Sequence, residues 1–209
     1  MSVRIKICGL TRVEDARVAG ELGVEAAGVV LWAGSPRAVS LEQAAAVCAA
    51  LPPWTMRVGV FVRPTLDALE SAIAAIGLGA VQIHGADDPA AYRAVRVPVV
   101  WAASLRVGAP APTTPAGMTL LLDAYDPDQH GGTGRTIDWS RAGTVARRER
   151  RLVLAGGLTP ANVAHAIAAV RPWGVDVSSG VETSPGLKSP SSMEAFVAAV
   201  RRVPTSLSV

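Results

Sequence analysis

Eight short apolar segments rich in β-branched residues punctuate this chain, and a helical pattern or a loop separates each from the next. The segments run over 3–8, 26–31, 57–62, 80–84, 98–102, 119–123, 151–155 and 174–178. They are near-continuously apolar, as parallel strands are when helices cover their outer face. Ala-rich helical patterns fill 12–22, 41–50, 65–76, 89–95, 139–148, 160–170 and 191–202. Ser40 with Gln43 three places on, and the pair Thr159-Pro160, mark two helix starts. The fifth crossover breaks the rhythm, because Gly108, Pro110, Pro112, Pro115 and Gly117 oppose a regular helix. Strict alternation over 209 residues predicts an α/β fold, a single (β/α)8 TIM barrel over 1–209 whose fifth helix is replaced by a Pro/Gly-rich loop. An open doubly wound sheet is the alternative, since alternation alone does not require closure.

Composition narrows the function classes. With 50% hydrophobic and 18% charged residues, the chain is neither a disordered polyelectrolyte nor, with two cysteines, a disulfide scaffold. No apolar run reaches the ~18 residues of a membrane span. The first residues do not read as a signal peptide. A cytoplasmic protein without a membrane partner is expected. The formal charge is +3, and Lys6 and Lys188 are the two lysines, so arginine carries most of the positive charge. Arg147, Arg148, Arg150 and Arg151 cluster without interleaved aromatics, which predicts a solvated helix end and no nucleic-acid partner.

In such barrels the chemistry collects at the C-terminal ends of the strands. After the seventh and eighth segments come Gly156-Gly157 and Ser179-Gly180-Val181. Glycines let backbone N–H groups approach an anion, so this pair of loops predicts a phosphate-binding corner, with plain tight turns as the alternative. A third cluster, Gly132, Thr133 and Gly134, fits an active-site loop or a surface excursion. Cys8 ends the first strand at the expected mouth, where a thiolate can act as base or nucleophile if its charge is stabilised. Cys48, inside an apolar helix pattern, reads as core.

Period two places Lys6 on the same strand face as Cys8, and Asp176 on the adjoining strand after closure, which predicts an interior Lys6–Asp176 ion pair. Asp123 ends a run too apolar for a casual carboxylate and reads as a general acid or base, or else as a helix cap. Arg37 offers a fork for a substrate carboxylate, unless it is an ordinary surface arginine. His84 reads as satisfying a carbonyl at the barrel end, and Gln82 as filling the interior.

Several motifs occur together and in one order over nearly the whole chain. They are KICGLT from Lys6, Ser35-Pro36-Arg37, VGVFV from Val58, QIHG from Gln82 and Leu122-Asp123-Ala124. GGTG from Gly131, Asp138-Trp139, LAGGL from Leu154 and DVSSGVE from Asp176 follow. Together they resemble the phosphoribosylanthranilate isomerase family. The resemblance implies a TIM barrel of tryptophan biosynthesis that uses neither metal nor organic cofactor. It also implies an Amadori rearrangement of N-(5-phosphoribosyl)anthranilate with Asp123 as general acid and Cys8 as general base. Arg37 would then hold the carboxylate, Gly156, Gly157, Ser179, Gly180 and Val181 the phosphate, and Gly132, Thr133 and Gly134 an active-site loop. The implied partner is a small phosphorylated substrate, with a monomer or weak homodimer as the assembly.

The chain departs from the family pattern at Arg63, at 31–34 and at Ser189. The alternatives are the related aminoaldose-phosphate isomerase of histidine biosynthesis and a non-catalytic sugar-phosphate-binding barrel. The first uses an aspartate where Cys8 stands and carries an internal half-barrel repeat, which is not seen here. Retention of both Cys8 and Asp123 opposes the second.

Overall fold

A computed structural model describes residues 2–105, 110–123 and 138–204. Eight parallel strands close into a barrel in sequence order, with β1 hydrogen-bonded to both β2 and β8. They are β1 (Arg4–Ile7), β2 (Ala26–Val30), β3 (Met56–Val62), β4 (Ala80–His84), β5 (Val99–Ser104), β6 (Thr119–Asp123), β7 (Leu152–Leu154) and β8 (Gly174–Val177). Closure excludes the open sheet.

The alternation of side chains divides two environments. Ile5, Ile7, Val81, Ile83, Leu120, Leu122, Val175 and Val177 face outward into one large apolar core shared with the helices. The barrel interior is a different place. Cys8, Val30 and Val60 form one small apolar group there, and Leu121, Val153 and Ala155 form another. Lys6 on β1, Gln82 and His84 on β4 and Asp176 on β8 add buried polar side chains to the interior.

The outer layer contains α1 (Val13–Glu21), α2 (Leu41–Ala49), α3 (Leu66–Ile76), α4 (Trp139–Ala146), α5 (Val163–Val170) and α6 (Pro190–Arg201). Ser40, Thr65, Asp138 and Ser189 cap α2, α3, α4 and α6 by accepting backbone N–H groups of the first turn. Gln43 does not complete a capping box with Ser40; its side-chain amide donates to the Thr11 carbonyl at 2.8 Å instead. The helix predicted from Pro160 begins three residues later, at Val163. Asn162 folds back there, accepting the Thr159 N–H at 2.8 Å and donating to Gly157 O at 2.9 Å.

The helix predicted over 89–95 is a single 3-10 turn, Pro89–Tyr92, with Asp88 accepting the Ala90 N–H. Tyr92 ends it buried, with its hydroxyl donating to the Pro64 carbonyl at 3.0 Å. In the fifth crossover, residues 110–118 contain no helix. After β8 comes a feature absent from the sequence prediction. A 3-10 turn, Ser179–Val181, leads into a two-stranded hairpin of β9 (Glu182–Ser184) and β10 (Leu187–Lys188).

Candidate active site

The deepest part of the site is built on β1 and β8. Lys6 lies opposite Asp176 in the ladder, and its Nζ donates to Asp176 Oδ2 at 2.9 Å, as the strand parity predicts. Gly28 on β2 makes the space: a Cβ there would sit 2.9 Å from Cys8 Sγ and 3.2 Å from Lys6 Cε. Burial works against the charge on Lys6, but Asp176 and Cys8 outweigh it and hold its pKa above the ordinary lysine value. Burial pushes the Asp176 carboxyl upward while Lys6 draws it back; the 2.9 Å contact favours the charged pair.

Burial also raises the Cys8 thiol, with Lys6 opposing that rise. The free thiol is thus mostly protonated at neutral pH, and its thiolate, once formed, is a strong base beside an ammonium group. Cys48 is buried in α2, with its pKa raised by burial to about 11, and takes no part in the site.

A cavity of about 330 Å³ opens above this floor. Cys8, Arg37, Asp123, Gly156, Gly157 and Ser179 all line it, together with Trp32, Gln82, His84 and Asp176. Cys8 and Asp123 reach it from β1 and β6, on different sides of the barrel. His84 Nε2 lies 2.7 Å from the side-chain amide nitrogen of Gln82, within the barrel interior.

Gly156 (φ 85°) and Gly157 (φ 62°) adopt the left-handed conformation that glycine takes without steric penalty. The backbone N–H groups of Gly156, Gly157, Ser179 and Gly180 have no protein acceptor among the described residues. The two loops touch, since a Cβ on Gly180 would stand 1.8 Å from the Leu158 carbonyl oxygen. Gly180 and Val181 are not among the lining residues, but Gly180 packs directly against Leu158, which is. Val181 is fully buried, and its N–H donates to Ser178 O at 3.4 Å. The open N–H donors therefore belong to the other four residues. Gly132, Thr133 and Gly134 lie outside the described residues.

Arg37 is buried, not an ordinary surface arginine. Its Nε and Nη2 grip Glu182 at 2.9 and 2.7 Å. Glu182 also accepts from Lys188 Nζ at 2.7 Å. Burial opposes the Glu182 charge, but hydrogen bonds from Arg37 and Lys188 more than compensate and lower its pKa. Sequence reasoning assigned no role to Glu182 or Lys188. The available signal was the scarcity of lysine, for both lysines of the chain are buried and ion-paired.

A closed (β/α)8 barrel with an acid, a thiol and two glycine loops around one cavity at its C-terminal mouth has the form of a TIM-barrel enzyme. Known proteins make the assignment specific. The sequence pattern of N-(5'-phosphoribosyl)anthranilate (PRA) isomerase matches residues 5–199. An N-(5'-phosphoribosyl)anthranilate isomerase of Citrifermentans bemidjiense is 44% identical over 203 residues, 96% of this chain and 98% of that protein. A solved isomerase in complex with reduced 1-(o-carboxyphenylamino)-1-deoxyribulose 5-phosphate is 36% identical with TM-score 0.81, over 95% of this chain and 98% of that one. A structure of mutually generated monomers of the dimeric isomerase from Thermotoga maritima is 35% identical with the same TM-score and the same coverage. The chain belongs to the N-(5'-phosphoribosyl)anthranilate isomerase family.

Proposed function

We propose that this chain converts N-(5-phospho-β-D-ribosyl)anthranilate to 1-(2-carboxyphenylamino)-1-deoxy-D-ribulose 5-phosphate, an Amadori rearrangement in tryptophan biosynthesis. The observation that carries the mechanism is that Cys8 and Asp123, from separate strands, line the same cavity as the anion donors at its rim. Asp123 protonates the furanose ring oxygen. The C1′–O bond breaks as the anilino nitrogen lone pair forms the C1′=N iminium. The Cys8 thiolate then takes the C2′ proton, and the C–H electrons form the C1′=C2′ bond of an enolamine. Loss of the enol proton and protonation at C1′ give the ketone. Each step is a proton transfer or the bond change that it assists, within reach of side-chain acid–base chemistry.

The substrate's two anions fit the two ends of the site. The phosphate meets the N–H groups of Gly156, Gly157, Ser179 and Gly180, with the Val181 backbone supporting that turn. The anthranilate carboxylate meets Arg37, and its ring lies against Trp32 and Val60. Asp176 Oδ1 and Gln82 Oε1, two buried acceptors without a partner among the described residues, suit the ribosyl hydroxyls. A phosphorylated substrate supports reading the protein as cytoplasmic, and we take its assembly to be a monomer or weak homodimer. No described helix is long and apolar enough to cross a membrane.

The test follows the loss of anthranilate-type fluorescence after the substrate is generated in situ, for wild type, Cys8→Ala and Asp123→Asn. Turnover by wild type and its near-abolition in both folded variants is the expected result. A folded wild type without turnover overturns the substrate assignment. Activity that survives both substitutions overturns the acid–base pair.

A further inference from the structure

We propose that Glu182 and Lys188 are positioning residues that hold Arg37 as a net-positive, pre-aimed clamp for the substrate carboxylate. The inference rests on the reading of Arg37 given above. A guanidinium gripped by a carboxylate is on its own a neutral pair with little attraction for a further anion. Here the carboxylate is shared. Glu182 Oε1 accepts from Arg37 Nε at 2.9 Å and from Lys188 Nζ at 2.7 Å, while Oε2 accepts from Arg37 Nη2 at 2.7 Å. Two cations around one carboxylate leave one unit of surplus positive charge, and Arg37 is the member of the three that lines the cavity.

The geometry also fixes direction. With Nε and Nη2 committed, Nη1 is the guanidinium nitrogen without a partner among the described residues. The plane of the fork is set by the bidentate contact, so Arg37 loses little freedom when a carboxylate arrives. Gly9 allows this seating, because a Cβ there would fall 2.6 Å from Arg37 Cδ.

Lys188 is placed for this role at some energetic cost. Its side chain is fully buried. Its backbone N–H donates to Asp15 at 3.2 Å, and its Nζ reaches Ser178 O at 3.2 Å. The lysine thus ties the carboxylate clamp to the start of the phosphate loop. Packing alone does not explain the pairing, since apolar residues of similar volume commonly replace both members of a buried ion pair without loss of stability. The surplus charge is what an apolar residue at 188 would remove.

The experiment uses two unreactive product analogues, reduced 1-(o-carboxyphenylamino)-1-deoxyribulose 5-phosphate and its anilino counterpart without the carboxylate. Affinities are measured by calorimetry for wild type, Arg37→Met, Lys188→Met and Glu182→Gln, with kcat and KM alongside. Lys188→Met should weaken the carboxylated analogue about tenfold, the scale of a charge-assisted hydrogen bond, and the anilino analogue less than about twofold. KM should rise while kcat changes little. Equal weakening of both analogues by Lys188→Met means a merely structural role and overturns the inference.

Should Lys188→Met fail to fold, Glu182→Gln decides. It raises the positive charge but releases the fork, so weaker binding confined to the carboxylated analogue supports positioning, and unchanged or tighter binding overturns it. If Arg37→Met weakens both analogues equally, the carboxylate reading of Arg37 is what fails. If Arg37→Met discriminates between them and Lys188→Met does not, the failure belongs to this inference alone.

Discussion

The chain's two lysines occupy two buried charge clusters that differ by one unit of charge. On the barrel floor, Lys6 and Asp176 match one to one beside the Cys8 thiol. At the rim, Lys188 and Arg37 share the single carboxylate of Glu182. The floor pair is balanced until Cys8 ionises, so its ammonium group is available to stabilise a thiolate. The rim cluster carries its surplus before any substrate arrives. A balanced cluster suits a group that must gain and lose a proton, and an unbalanced one suits a group that must attract a permanent anion.

The strongest challenge to this contrast lies in the chemistry above the floor. Cys8→Ala and Asp123→Asn should each lower kcat by roughly 10²–10⁴, the usual contribution of a general acid or base, with little change in thermal stability. Stopped-flow fluorescence checks this.

Next in size is Lys6→Met, which strands a buried carboxylate and should cost about 3–5 kcal/mol in denaturant unfolding. Lys188→Met should cost less, because Arg37 still holds Glu182; equal costs would erase the distinction between the clusters. In folded Lys6→Met protein, the rise of kcat/KM with pH should also move to higher pH, since Lys6 opposes the upward shift of Cys8.

Gly180→Ala should cost about 1–3 kcal/mol and raise KM, because its Cβ collides with the Leu158 carbonyl and must separate the two phosphate loops.

The pH dependence of stability separates the clusters by sign. Glu182 has a lowered pKa, so its contribution is present above the unfolded value of 4.5 and is lost as pH falls through the folded value. Lys6 has a raised pKa, so its contribution is full below the unfolded value of 10.5 and is lost as pH rises through the folded value. Denaturant midpoints of Glu182→Gln and wild type should therefore converge toward acid, and those of Lys6→Met and wild type toward alkali.

The smallest effect is expected far from both clusters. Arg171 caps α5 in the left-handed conformation at φ 55°, so Arg171→Gly should stabilise the fold by about 0.5–1 kcal/mol without changing kinetics. Arg63, at φ 44°, carries the same kind of strain.

Much of this molecule is legible along the chain because its rules are local or periodic. Apolar runs mark the strands, and parity with closure brings Lys6 to Asp176. The C-terminal ends of strands mark Cys8, Asp123 and the glycine loops as neighbours. Other features depend on contacts that no local rule encodes. Gln43 leaves its own helix start for the Thr11 carbonyl, and the helix predicted over 89–95 shrinks to one turn. Val181 turns its side chain into the core.

The sequence by itself determined the strand–helix alternation, the acid–base candidates and the shared face of Lys6 and Cys8, since strand periodicity assigns each residue to one face or the other; closure, which brings Asp176 to Lys6, came from the tertiary structure. Tertiary structure alone decided how Arg37 is held. Glu182 lies 145 positions away in sequence, and only the packing of a short hairpin against the rim brings the guanidinium, the carboxylate and the buried lysine together.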